Sequence, residues 1–389
     1  MNPRLFRLAA SLTAAITFLI TPAHAAPLVG PGSGLRMLPD QPETTIVIQD
    51  KTYHLSEEFS AWTCSQGPSG TVLTGTGERI PVMLTAGHCI SELDSSDDPL
   101  RPEVYVNLST EGYRRVGMRD KVGRINLDDK NTPLHLLPND LLNSHDWGTV
   151  RLDPGVTASR SATSRDQFGG RESHPVAMTG IKDYRTLGPT EVSVDNFGQP
   201  ICKDGILSAR SCGTQLARTR YGVWSWGLTY EKGDSGGNNY DPRTGEIIGV
   251  TSMGLGPLGR AQPADVILEE AYGVPDGRVN EHFALPEDTT PAAPQKSLAD
   301  EQRALQTELE GQGLEIPELP DFRKEFNDEL GRAHGTAEQT AAGLAQAASA
   351  SDVDAAARTL QEAHDKAAAH ADRLGAYGLG IVISEIAGV

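Results

Sequence analysis

From Thr44 onward the chain sets short β-branched runs between turn residues. Such runs fall at Thr44 to Ile48, Thr71 to Thr74, Ile80 to Thr85, Glu103 to Leu108, Trp147 to Leu152 and Glu191 to Val194. Glu246 to Thr251 follows Asp241-Pro242-Arg243-Thr244-Gly245, a turn sequence suited to closing a hairpin. Many short strands with Gly/Pro punctuation predict an all-β sandwich or barrel. The pattern changes after Phe283. Pro286, Pro291 and Pro294, with alanine and threonine between them, read as a stiff linker. Beyond it the apolar residues take helical spacing: Phe322, Phe326 and Leu330, then Val353, Ala357, Leu360, Ala367, Ala371 and Leu374. Ser297 with Asp300, and Ser351 with Asp354, are placed like helix N-cap pairs. Alanine-rich faces let helices approach closely, so a small antiparallel bundle is expected.

The two ends and the composition refine this picture. Met1 to Arg7 is basic, Leu8 to Ile20 is apolar, and Ala23-His24-Ala25 is a small-x-small end. Those are the parts of a secretory signal peptide, with cleavage expected after Ala25. Ala26 to Pro42 is rich in glycine and proline without alternation and reads as a leader or pro-segment. The expected division is therefore 1–25 signal, 26–43 leader, 44–285 β domain, 286–296 linker and 297–389 acidic helical module. The net charge is -18, and the stretch from Pro291 to Val389, with 8 Lys/Arg against 17 Asp/Glu, holds half of it. An acidic chain repels phosphate backbones and anionic lipid, which argues against nucleic-acid binding. No segment of the mature chain is apolar enough over a sufficient length to span a bilayer as a helix. Cys64, Cys89, Cys202 and Cys212 are an even set in an exported chain, and three disulfide pairings are open at this point. Their spacings match no zinc site.

Three short motifs carry chemistry. Gly233-Asp234-Ser235-Gly236-Gly237 has glycines that let the backbone fold tightly around a serine and present amide donors together. On its own such a stretch is as readily a plain turn. Leu84-Thr85-Ala86-Gly87-His88-Cys89 ends an apolar run on a histidine at a sheet edge, where it can titrate and be reached by substrate. A lone exposed histidine is otherwise ordinary polar surface. His145-Asp146-Trp147-Gly148 brings a carboxylate into an apolar strand, which is costly unless the group is hydrogen-bonded, and a histidine N–H is a suitable donor. The bland alternative for Asp146 is a turn cap.

Taken together, in the order His, Asp, Ser, these motifs resemble the chymotrypsin (trypsin-like) family of serine peptidases. The bacterial streptogrisin and α-lytic branch is similar also in Ile201-Cys202-Lys203-Asp204-Gly205 followed by Ser211-Cys212-Gly213. The resemblance spans roughly Thr44 to Phe283. It implies an all-β fold of two six-stranded antiparallel β-barrels, here followed by a separate α-helical C-terminal module, and disulfides Cys64–Cys89 and Cys202–Cys212. It implies His88 as general base, Asp146 as its orienting carboxylate and Ser235 as nucleophile, with the Gly233 and Ser235 amides as oxyanion hole. Asp234 would hold the oxyanion loop through a buried polar contact. Thr229 would lie at the base of the specificity pocket, with Ser252, Met253 and Gly254 as one wall. No carboxylate stands at that base, so an uncharged, apolar side chain is expected before the cleaved bond.

Two departures stand out. Asn238 takes the place of the family's usual proline after Gly237, a change expected to loosen the turn that follows. Leu28-Val29-Gly30-Pro31 is only a weak echo of the new N-terminus that some relatives bury on activation. The function implied is a secreted serine endopeptidase acting on protein or peptide substrates, with no cofactor or metal. A secreted binding or scaffold protein on the same fold is the alternative class. The proline-rich linker predicts few contacts between barrels and tail, so the tail is expected to be dispensable for chemistry and to dock on a partner or an envelope surface.

Overall fold

The computed structural model describes residues 25–48, 50–91, 99–123, 144–165 and 173–314, with scattered helical positions between 329 and 369. Residues 1–24 of the expected signal segment, the expected cap Ser351, the apolar positions Phe322, Phe326, Leu330, Val353, Ala357, Ala367, Ala371 and Leu374, and the stretch Tyr377 to Val389 lie outside the described residues. No described helix is long and apolar enough to cross a membrane.

Among the described residues the first nine strands are β1 (Gly34–Pro39), β2 (Thr45–Ile48), β3 (Lys51–His54), β4 (Trp62–Ser65), β5 (Ser69–Leu73), β6 (Arg79–Thr85), β7 (Leu100–Leu108), β8 (Gly112–Val122) and β9 (Gly148–Leu152). A short pair, β10 (Ser161–Ala162) and β11 (Val176–Ala177), leads to β12 (Gly180–Ile181), β13 (Pro200–Gly205), β14 (Ala209–Thr219), β15 (Gly222–Trp226), β16 (Asn238–Tyr240), β17 (Glu246–Leu255) and β18 (Leu258–Pro263). Helix α1 (Ala264–Tyr272), helix α2 (Val279–His282), strand β19 (Phe283–Ala284) and helix α3 (Leu298–Gly311) follow.

The second sheet runs β12-β17-β16-β13-β14-β15-β18, and a further β17–β18 ladder closes six of those strands into a barrel. The first is an eight-stranded sheet, β19-β5-β6-β9-β8-β7-β1-β4. It curls around one core, because Met37, Cys64, Met83, Val104, Val116 and Val150, from six of its strands, pack together. It has two more strands than the expected six; one of them is β19, which pairs along β5 and covers an edge that would otherwise be open. On β6, Ile80, Val82 and Leu84 face a second core shared with Ile247, Val250 and helix α1, while Met83 faces the first. The strand is apolar on both faces because it stands between the two halves.

Four sequence expectations change. The leader segment is structural: β1 lies between β4 and β7 in the ladder, and Leu35 and Met37 are buried. No alternation betrays it, because its other face is covered as well, with Arg36 only 2% exposed and paired to Glu301 on α3 at 2.9 Å. The linker is likewise bound to the barrel. Ala293 N–H donates to Pro27, Ser109 N–H to Pro294, Lys296 N–H to Asn107, and Gly34 N–H to the Gln295 side chain. Proline stops helices and strands but does not prevent docking. Helix α3, capped by Ser297 and Asp300 as expected, is not separate either. Its Leu305 and Leu309, with Leu314, pack on Ile48 and Tyr53 of the β2–β3 hairpin. A lone two-stranded hairpin cannot bury its apolar face alone, so it takes the helix as cover. Glu191 to Val194 is no strand: a single bridge joins Ser193 to Arg218, and Val192 and Val194 are exposed.

Candidate active site

The β6–β9 register brings the first two residues together. Thr85, at the end of β6, lies opposite Gly148, at the start of β9. His88 comes three residues after one and Asp146 two before the other, so an antiparallel ladder places them side by side. His88 sits in a 3-10 turn over Gly87–Cys89, and Cys89 is bonded to Cys64 on β4. Its Nδ1 lies 3.0 and 2.9 Å from the two Asp146 oxygens, and its backbone N–H donates to Oδ1 at 3.0 Å. Asp146 is fixed from further sides. Ser252 Oγ donates to Oδ2 at 2.7 Å, and the Asp146 N–H donates to Gln262 at 3.2 Å. Buried Arg260 donates to the Ser144 carbonyl and hydroxyl, and Glu270 on α1 accepts from Trp147 Nε1 and pairs with His145. The carboxylate's neighbours are thus pinned from both halves of the molecule.

These contacts set the protonation. Burial opposes ionisation of Asp146, but the His88 charge and the hydrogen bonds from His88 and Ser252 outweigh it and bring the carboxyl down to about 2. Burial likewise opposes protonation of His88, and Asp146 outweighs it, so the imidazole is raised above its ordinary value. One third of the His88 side chain stays open to solvent.

Ser235 enters from the second barrel. Its loop is tied to β17 by Gly236 N–H to Thr251 O and Thr251 N–H to Gly237 O. Gly236 presses so closely on β6 that a methyl group there would meet Thr85 Oγ1 at 2.1 Å. Buried Ser65 joins the two sides: its N–H donates to Ser235 O and its hydroxyl to Gly233 O, next to the Cys64–Cys89 bridge. The loop turns at Glu231–Asp234, with Asp234 N–H donating to Glu231 O, and Gly233 takes φ +107°, which only glycine adopts readily. Among the described residues, neither the Gly233 nor the Ser235 amide has a partner in the chain, and no hydrogen bond joins Ser235 Oγ to His88.

Asp234 is held by Lys203 Nζ at 2.8 Å, both side chains being almost wholly buried, and it also accepts from the amides of Glu231, Leu207 and Ser208. Lys203 follows Cys202, whose disulfide to Cys212 lies directly across the β13–β14 ladder. The cation that shapes this loop is therefore internal. The Leu28-Val29 segment is not its partner, because Val29 is buried in the first core. Asn238 does not loosen the turn either; it is fully buried in β16, opposite Asp204 and Val250.

The expected pocket residues are arranged differently from the sequence reading. Thr229 is exposed, with its main chain bonded to Ser211, and the inward residue is Tyr230. In an extended stretch successive side chains point to opposite sides, so a displacement of one residue exchanges the two. Ser252 lies where the β17–β18 register slips, and the irregularity turns its hydroxyl to Asp146. Met253 and Gly254 continue along β17. Lys203, Ser252 as an Asp146 donor, Arg260, Gln262 and Glu270 were not legible beforehand, since each acts on a residue remote in sequence. Among the described residues, two clusters have metal-ligand side chains, but in one the Cys64 and Cys89 sulfurs are spent in the disulfide. The other is Asp183, Glu269 and Asp276.

No family model and no curated relative matches the chain. Solved structures similar to it include Thermobifida fusca protease A, with 18% identity, TM-score 0.34, and coverage of 62% of this chain and 95% of that one. Cellulomonas bogoriensis chymotrypsin gives 18% identity and TM-score 0.32, covering 63% and 96%. A Nocardiopsis protease gives 17% and 0.32, covering 54% and 90%. Over half or more of its length the chain resembles bacterial chymotrypsin-like serine proteases.

Proposed function

We propose that the protein is an exported serine endopeptidase. The observation that carries this reading is the His88–Asp146 pair beside a tight turn in which Ser235 is accompanied by two unpartnered amides. Ser235 Oγ attacks the peptide carbonyl carbon while its proton passes to His88 Nε2. Ionised Asp146 holds the Nδ1–H tautomer and stabilises the imidazolium. The tetrahedral oxyanion accepts hydrogen bonds from the Gly233 and Ser235 amides. Collapse breaks the C–N bond, the amine leaves with the proton from His88, and water repeats the sequence to free the acyl group.

The substrate side chain before the cleaved bond is uncharged in this reading. Glu231, the carboxyl nearest to that place in sequence, is pushed up to about 8 by burial and by neighbouring Asp234, so at neutral pH it is mostly uncharged and a weak partner for lysine or arginine. Export is supported by the N-terminal sequence and by the two disulfides. A binding protein on the same fold is the second reading, favoured by the missing Ser235–His88 hydrogen bond. That bond commonly forms only with substrate in place. A fluorophosphonate probe decides: labelling that Ser235→Ala abolishes supports the peptidase, and absence of labelling on folded protein supports the binder.

A further inference from the structure

We infer that Tyr230 sets the substrate preference, its ring filling the recess beside Ser252 so that the residue before the cleaved bond must be glycine or alanine. This rests on the peptidase reading. Strand β17 runs from Ser252, which is bonded to Asp146, through Met253 to Gly254, and Gly254 lies directly opposite Gly259 on β18. Two paired glycines leave a bare patch on the ladder two residues from the group that orients Asp146. A patch without side chains, next to the reacting groups, is the natural receiver of a substrate side chain.

Tyr230 already occupies it. A methyl group on Gly254 would lie 2.4 Å from Tyr230 Cβ and Cγ, and one on Gly259 would lie 1.9 Å from its hydroxyl and 2.1 Å from Cζ. The ring therefore covers both glycines, from its root at one to its tip at the other. The hydroxyl is 3.2 Å from Ser225 Oγ on β15, whose register partner is Gly259. The main chain on either side is anchored, Thr229 N–H to Ser211 and Glu231 N–H to Asp234. Swinging the ring out would break the hydroxyl contact and uncover the glycine pair. Tyr230 also lies five residues before Ser235 on the same loop, so no other element must move to bring it to the substrate. A side chain beyond a methyl group meets the ring. Each methylene refused or admitted by an apolar pocket changes kcat/KM by about 10–200-fold.

The test uses the full chain, a fluorophosphonate probe and peptide anilides with Gly, Ala, Leu, Phe, Lys or Glu before the scissile bond. The wild-type protein should cut after Ala and Gly at least about tenfold better than after Leu or Phe. Tyr230→Ala should raise kcat/KM for Phe and Leu by about tenfold or more, whereas Tyr230→Phe, which keeps the ring without its hydroxyl, should leave the ranking unchanged. Wild-type preference for Leu, Phe or a charged residue overturns the inference, with no need for any variant to fold. So does a folded, labelled Tyr230→Ala with an unchanged ranking. If the wild type takes no label and cuts nothing, the peptidase reading itself fails, a result distinct from a labelled enzyme with the wrong preference.

Discussion

Residue by residue, the site is a set of charges held against burial. His88 resists protonation through burial, yet Asp146 wins and lifts it above 6.5. Since only the neutral imidazole accepts the serine proton, kcat/KM should fall as pH drops through a value above 6.5. Asp146→Asn should move that limb to lower pH and cost on the order of ten thousandfold in rate, read from a pH–rate profile on a small peptide. Lys203 does for the oxyanion turn what Asp146 does for the imidazole. Lys203→Met would leave Asp234 buried without its cation, which costs about 3–5 kcal/mol when one partner of a buried pair is removed. Denaturant unfolding should show that loss, and the probe should label Ser235 more slowly in the protein that remains folded. An unchanged labelling rate would show that the three amides of Glu231, Leu207 and Ser208, with the Ser208 hydroxyl, suffice to hold Asp234. The pairing of His88 with Asp146 was readable in advance because each sits in a contiguous motif. Lys203 was not, because nothing within a few residues of Cys202 announces Asp234.

At the level of elements, β1 and α3 decide where the folded β domain ends. Arg36 on β1 is buried against Glu301 on α3, Asn107 on β7 donates to the same carboxylate, and leucines of α3 cover the β2–β3 hairpin. Truncation after Glu287 should therefore expose Ile48 and Tyr53, strip Arg36 of its partner and lower the melting temperature. Truncation after Leu314 keeps α3 and should spare those contacts, so that variant should melt above the one ending at Glu287. Equal melting temperatures for the two would show that α3 contributes nothing to the barrel. A strand buried on one face advertises itself by alternation, as at Glu103 to Leu108. A strand or helix covered on both sides, or docked through main-chain bonds as Ala293 to Lys296 are, leaves no such period.

Across the whole molecule, stability and activity should favour different pH. Burial pushes Asp265 and Glu231 up to about 8, and burial with the neighbouring Asp276 and Asp183 pushes Glu269 up to about 7. In the unfolded chain such groups lose their protons near pH 4, so between about pH 4 and 8 the folded state binds more protons. Their contribution is complete below about pH 4 and is lost as pH rises through the folded values. Asp146 has the opposite sign: its contribution is present above about pH 4 and is lost as pH falls toward 2. Melting temperature should peak in mildly acidic solution and decline toward pH 8, although catalysis needs neutral His88. Asp265→Asn should flatten that decline; a profile as steep as wild type would remove Asp265 from the account.

What the sequence by itself determined is local chemistry: a β-rich chain, two disulfide pairs inferred through resemblance, and three motifs with the residue types for acyl transfer. Those signals survive without a fold because a turn, a nucleophile or a strand period is written within a few neighbouring residues. Only the tertiary structure decided that Lys203 is the cation of Asp234, that Ser252 turns to Asp146, that Tyr230 rather than Thr229 points inward, and that the supposed leader and linker belong to the barrel. Each is a pairing between segments far apart along the chain. Its energy comes from desolvating both partners together, and neither segment carries a mark of the other until they meet.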